Sequence, residues 1–92
     1  MNKIDYNKEL DCTGLNCPLP ILKTKKQIDA METGQILKME ATDPGSINDV
    51  IAWTRRTGNE LVSQTEDGDI YIFYIKKSCL LIFLVNIILW SG

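Results

Sequence analysis

Two prolines one residue apart, in Cys17-Pro18-Leu19-Pro20, constrain this chain more than any other feature. A proline has no N–H and a fixed φ, so it suits the first turn of a helix and breaks the interior of a helix or a central strand. The residues that follow, Ile21 to Met31, place Ile21, Thr24, Ile28 and Met31 at helical spacing on one face. The pattern predicts a helix that opens at the prolines and closes at Thr33-Gly34. The break ahead of it is Thr13-Gly14, so Leu15-Asn16-Cys17 is delivered to a helix start.

The remaining elements follow from the same reading. Glu9 to Cys12 reads as a short strand and Ile36 to Ala41 as a second. Thr42-Asp43-Pro44-Gly45 is a turn, after which Ser46 is expected to cap a second helix, with Asp49 as an acidic variant of the capping box. Ile47, Val50, Ile51 and Thr54 form its inner face, and Gly58 ends it. Glu60 to Glu66 and Ile70 to Lys76 are strands around an Asp67-Gly68-Asp69 turn. The order βαβαββ implies an α/β fold: a two-layer α/β sandwich with one mixed four-stranded sheet and two helices on one face.

Composition narrows the function. The 92 residues support one domain, and a net charge of −2 argues against a dedicated nucleic-acid binder. There is no histidine, which removes Cys-His and Ser-His-Asp chemistry and the commonest metal ligand. Three cysteines, at 12, 17 and 79, do not form a disulfide framework. Met1 to Leu10 is polar and charged, with no secretory signal, so reduced thiols and a cytoplasmic location are the expectation. Residues 1–77 read as the domain and residues 78–92 as an apolar tail of unassigned role. The run Leu80 to Trp90 would make a helix of roughly 16 Å, too short for a hydrocarbon core about 30 Å thick.

With Cys17 as N-cap, Pro18, Leu19 and Pro20 occupy the first three helical positions, and only Leu19 has an N–H to offer the sulfur. That amide and the helix dipole are expected to lower the thiol pKa from its free value of about 8.5. The residues alone equally allow Cys17 to be a small apolar cap. Cys12 reads as a buried strand residue, with a resolving thiol as the alternative. Lys23, Lys25 and Lys26 either guide an acidic partner and support the thiolate or form a solvated face. Arg55 and Arg56 either contact a partner or complement the helix dipole. Trp53 reads as packing, and Asp43 as a turn and cap residue.

Asp11-Cys12-Thr13-Gly14-Leu15-Asn16-Cys17-Pro18-Leu19-Pro20 resembles the D-x-x-G-x-x-C-P-x-P signature of the TusA/SirA sulfur-carrier (sulfurtransferase) family. Asp43-Pro44 and the stretch Trp53 to Leu61 resemble it too, so the likeness covers roughly Leu10 to Lys77. The resemblance implies a two-layer fold similar to the C-terminal domain of translation initiation factor 3. It also implies a carrier that relays sulfur as a persulfide on Cys17, presented by Gly14, Pro18, Leu19 and Pro20. Its partners would be a cysteine desulfurase or rhodanese-like donor and a sulfur-acceptor protein, as in tRNA wobble-uridine 2-thiolation, with Lys23, Lys26, Arg55 and Arg56 as docking candidates. No metal, organic cofactor or direct nucleic-acid contact is expected. The alternative is a regulatory adaptor using the same surface without sulfur transfer, with membrane contact through the tail. The sequence names neither donor, acceptor nor pathway.

Overall fold

The structure, a computed structural model, describes residues 4–78. Residues 79–92 of the apolar tail, Cys79 among them, lie outside the described residues. The elements are β1 (Lys8–Cys12), α1 (Leu19–Asp29), β2 (Ile36–Ala41), α2 (Gly45–Thr57), β3 (Glu60–Asp67) and β4 (Ile70–Lys76). The four strands form one sheet in the order β1-β2-β4-β3. β1 and β2 run parallel, whereas β4 runs antiparallel to both its neighbours, so the sheet is mixed as expected. Among the described residues no helix is long and apolar enough to cross a membrane.

Strand alternation decides which face is covered. Along β2, Leu37, Met39 and Ala41 are buried, while Ile36, Lys38 and Glu40 between them are only partly so. The register sets Leu10 and Phe73 on either side of Met39, Cys12 beside Ala41 and Leu37 opposite Ile75. Residues in register share a face, so one apolar surface runs across the sheet. Ile28 from α1, Met31 just beyond it, and Val50 and Trp53 from α2 join that surface in a single core. Both helices therefore cover one face, and Trp53 is a packing residue.

Two helix starts differ from the sequence expectation. α1 begins at Leu19, with Pro18 as its N-cap, so Cys17 stands one residue outside the helix. The Leu19 N–H, expected to serve the sulfur, donates instead to the Asn16 carbonyl at 2.9 Å. Pro20 is thus the second helical position, and its ring is buried. α1 also ends at Asp29, leaving Met31 to reach the core from the following loop. In α2, Ser46 does not cap. It lies within the first turn, buried, and makes no cap hydrogen bond. Pro44 is the N-cap, and Asp43 before it holds the helix entry: its Oδ1 accepts from the Gly45 N–H at 3.0 Å, and its carbonyl from the Ser46 N–H at 2.9 Å. Gly58 closes α2 with φ +80°, a conformation glycine adopts freely.

The parallel pairing of β1 and β2 puts the loops that leave them side by side. The Gly14 N–H donates to Thr42 Oγ1 at 2.9 Å, which ties the first loop to the second. Gly14 itself has φ +82°, so a side chain there would be strained even though the space is open.

Candidate functional site

Cys17 lies where these two loops meet the start of α2. Its side chain is exposed, whereas Cys12, five residues earlier on β1, is fully buried. The Cys17 N–H donates to Asp43 Oδ2 at 2.6 Å. Its thiol donates to Asp49 Oδ2, from the second turn of α2. The backbone of Cys17 is thus held by one carboxylate and its sulfur by another. The Cys17–Pro18 peptide is cis.

This arrangement reverses the electrostatic expectation. The hydrogen bond to Asp49 pushes the Cys17 thiol pKa up, and desolvation and the negative charges of Asp49 and Asp43 push the same way. A carboxylate that accepts from the thiol favours the protonated form, and nearby negative charge disfavours thiolate. The cap expectation fails because the Leu19 N–H is already used by Asn16 and the sulfur faces α2. Asp43 moves the other way: the N–H groups of Cys17 and Gly45 hold its carboxyl below the usual range. Asp11 is lowered likewise by Thr13, whose hydroxyl and N–H both donate to it.

Cys12 belongs to the core. Its thiol lies 3.9 Å from the Pro20 carbonyl, and burial raises its pKa, with Lys23 opposing and Asp11 adding to the rise. Lys23 therefore bears on Cys12, while no lysine is among the groups that shift Cys17. Lys25 pairs with Asp29 at 3.0 Å along α1. Lys23 and Lys26, with Leu10, Gln27 and Ala30, line a shallow groove between α1 and the β1 edge. Leu19, two residues after Cys17, is 47% exposed, and Leu22, one turn on, is 54% exposed. Pro20 faces inward, and its carbonyl accepts from Thr24 Oγ1 at 2.8 Å. Arg55 and Arg56 occupy the last turn of α2. At 1.5 Å rise per residue they lie about 15 Å along the axis from Gly45, so the fold does not gather them around Cys17. No group of three Cys, Asp or Glu side chains among the described residues is arranged to hold a metal ion.

Asp49 is the site residue that sequence reasoning assigned elsewhere, as a capping-box partner of Ser46. The signal lay in the topology: once β1 and β2 are parallel neighbours, an acidic residue near the start of α2 falls beside the Cys17 loop.

The family model described as sulfurtransferase TusA matches residues 8–77, from the start of β1 to just past β4. The chain belongs to the TusA family. Among its TusA-family relatives, the sulfur carrier protein TusA of Allochromatium vinosum is 54% identical over 74 residues, covering 80% of this chain and 97% of the relative. The putative sulfur carrier protein YrkI of Bacillus subtilis is 49% identical over 71 residues, 77% of this chain and 95% of the relative. A crystal structure of a SirA-like protein from Desulfitobacterium hafniense superposes with a TM-score of 0.70 at 17% identity, covering 79% of this chain and all of that one. It shows that the βαβαββ sandwich is the fold of this TusA-family chain.

Proposed function

We propose that this chain is a sulfur carrier that holds sulfane sulfur as a persulfide on Cys17. The observation that carries the reading is the contrast between its two described cysteines: Cys17 is exposed at the start of α1, while Cys12 is sealed in the core. A persulfide must be reached by the sulfur of a second protein, and of these two sulfurs Cys17 alone offers that access. The names of the Allochromatium and Bacillus relatives agree with this role.

In loading, an electron pair of the Cys17 sulfur forms a bond to the outer sulfur of a donor persulfide, R–S–SH. The donor's S–S bond breaks, and its electron pair leaves with the donor thiolate. The proton given up by Cys17 ends on that thiolate, so R–S–SH and Cys17–SH become R–SH and Cys17–S–SH with no net oxidation. Unloading repeats the step with an acceptor thiol. The donor is a cysteine desulfurase or rhodanese-like protein, and the acceptor belongs to a relay such as the one serving tRNA wobble-uridine 2-thiolation. The reaction needs no metal or organic cofactor, and the setting is the cytoplasm. Exposed Leu19 and Leu22 supply apolar contact area beside the sulfur, and Lys23 and Lys26 supply charge on the flank.

Intact-mass spectrometry after incubation with a cysteine desulfurase and cysteine tests the reading. A gain of about 32 Da, reversed by reductant and absent in Cys17→Ser, is the expected result. Retention of the gain in Cys17→Ser would move the site, and no loading from several donor types would favour an adaptor that docks without carrying sulfur.

A further inference from the structure

The hydrogen bond from the Cys17 thiol to Asp49 has a sign opposite to that of a nucleophile being activated. An activating partner donates to a sulfur anion or carries positive charge, as a helix-start amide or a lysine would. Here the acceptor is a carboxylate, and a second carboxylate, Asp43, lies on the backbone side of the same residue. The helix-start amide placed to oppose them in sequence, Leu19 N–H, is spent on Asn16. The charged groups that bear on Cys17 are therefore Asp49 from α2 and Asp43 from the β2–α2 loop. On α1, Lys23 acts on Cys12, and Lys25 is paired with Asp29.

We propose that Asp49 restrains Cys17, holding the sulfur of the unloaded protein as a protonated, hydrogen-bonded thiol and suppressing its reaction with small electrophiles. The inference rests on the reading of Cys17 as the carrier sulfur for its purpose, though not for its chemistry. An exposed thiolate would be open to alkylation and to the oxidation ladder that ends in irreversible acids. A thiol donating to a carboxylate is far less nucleophilic, because the thiolate is the reacting species. The alternative role for Asp49, a base that accelerates attack by taking the proton, predicts the opposite effect of removing it.

The test is the pH dependence of Cys17 alkylation by iodoacetamide in the full-length protein, wild type against Asp49→Asn and Asp49→Ala. In both variants the midpoint of the rate profile should fall. Each tenfold gain in thiolate is partly offset by roughly threefold lower intrinsic nucleophilicity, so the rate at pH 7 should rise about threefold per tenfold gain. The high-pH plateau, where every form is ionised, should fall rather than rise. A structural disturbance would change the rate at all pH values without moving the midpoint.

An unmoved midpoint in both variants overturns the proposal, as does slower alkylation at pH 7, the result a general base requires. A shift in Asp49→Asn alone also overturns it, since the new amide would then be acting as a donor in its own right. Persulfide loading from a desulfurase is measured on the same wild-type sample. Absence of loading with a shifted alkylation midpoint would count against the carrier reading and leave the assignment of Asp49 standing.

Discussion

The backbone N–H of Cys17 donates to the carboxylate of Asp43 at 2.6 Å, joining residues 26 apart in sequence. The other oxygen of that carboxylate accepts from Gly45, the first residue of α2. One side chain therefore fixes both the entry to α2 and the position of the reactive loop. Because two N–H groups stabilise its charged form, Asp43 ionises more readily in the folded protein than in the unfolded chain. Its contribution to stability is fully present above the unfolded carboxyl value, about 3.9, and is lost as pH falls through the lower folded value. Thermal unfolding between about pH 5 and 2 should show the wild type losing stability more steeply below pH 4 than Asp43→Asn. Asp11 contributes in the same window in both proteins, so the difference between the curves isolates Asp43. Parallel curves would mean that its bonds to Cys17 and Gly45 do not persist in solution.

The two described cysteines should be separable by access. Both thiols have raised pKa values, Cys12 chiefly through burial and Cys17 chiefly through Asp49, so acidity does not distinguish them in the way a helix-start cap would have. Exposure does: Cys12 has no accessible surface and Cys17 is open. Iodoacetamide followed by peptide mapping should label Cys17 first in the folded protein. Cys12 should react only at the rate of structural opening, and faster as urea is added. Labelling of Cys12 ahead of Cys17 without denaturant would contradict the burial of Cys12.

The fold was legible because hydrophobic spacing and turn residues act locally. β2 spans Ile36–Ala41 as read, and the alternation that defines it also defines the core face. The hairpin needed only Asp67-Gly68-Asp69, which narrows in the structure to a two-residue turn with φ +62° at Gly68. The exposure of Cys17 just ahead of α1 was legible because paired prolines mark a helix start. Its electrostatic surroundings were not, because they come from Asp43 and Asp49, brought near by strand pairing rather than by chain proximity. The same holds for Lys23, whose spacing from the motif suggested Cys17 and whose charge acts on Cys12. The irregularity between Leu61 and Ser63 on β3 left no mark in the alternation of that strand's sequence.

Pro20 tests whether the motif proline serves the sulfur or the core. Its ring is buried, and its carbonyl, which any residue would retain, accepts from Thr24 and lies against the Cys12 thiol. Pro20→Ala removes buried ring methylenes worth about 0.8 kcal/mol each and relaxes the unfolded chain by roughly 0.4–1 kcal/mol. A loss near 2 kcal/mol in urea unfolding is expected, with little change in Cys17 alkylation, because the sulfur is engaged by Asp49 rather than by the helix start. Unchanged stability together with severalfold faster alkylation would show that the proline acts on the thiol after all.

Ser46 gives a prediction in which the sign alone decides. As an N-cap its hydroxyl would hold an orphan amide of the first turn, and Ser46→Ala would cost about 1 kcal/mol. In the structure Pro44 is the cap and Ser46 is the second residue of α2, 1% exposed, with its hydroxyl lacking a hydrogen-bond partner among the described residues. The other buried hydroxyls among the described residues behave differently: Thr24 donates to Pro20 and Thr54 to Val50, each back along its own helix. A buried polar group without a partner carries a desolvation penalty of about 1–3 kcal/mol, and alanine is also the better helix former. Ser46→Ala should therefore leave stability unchanged or raise it by up to about 1 kcal/mol, seen as an equal or higher urea midpoint at constant m. A midpoint lowered by the equivalent of about 1 kcal/mol would restore Ser46 as the cap in place of Pro44.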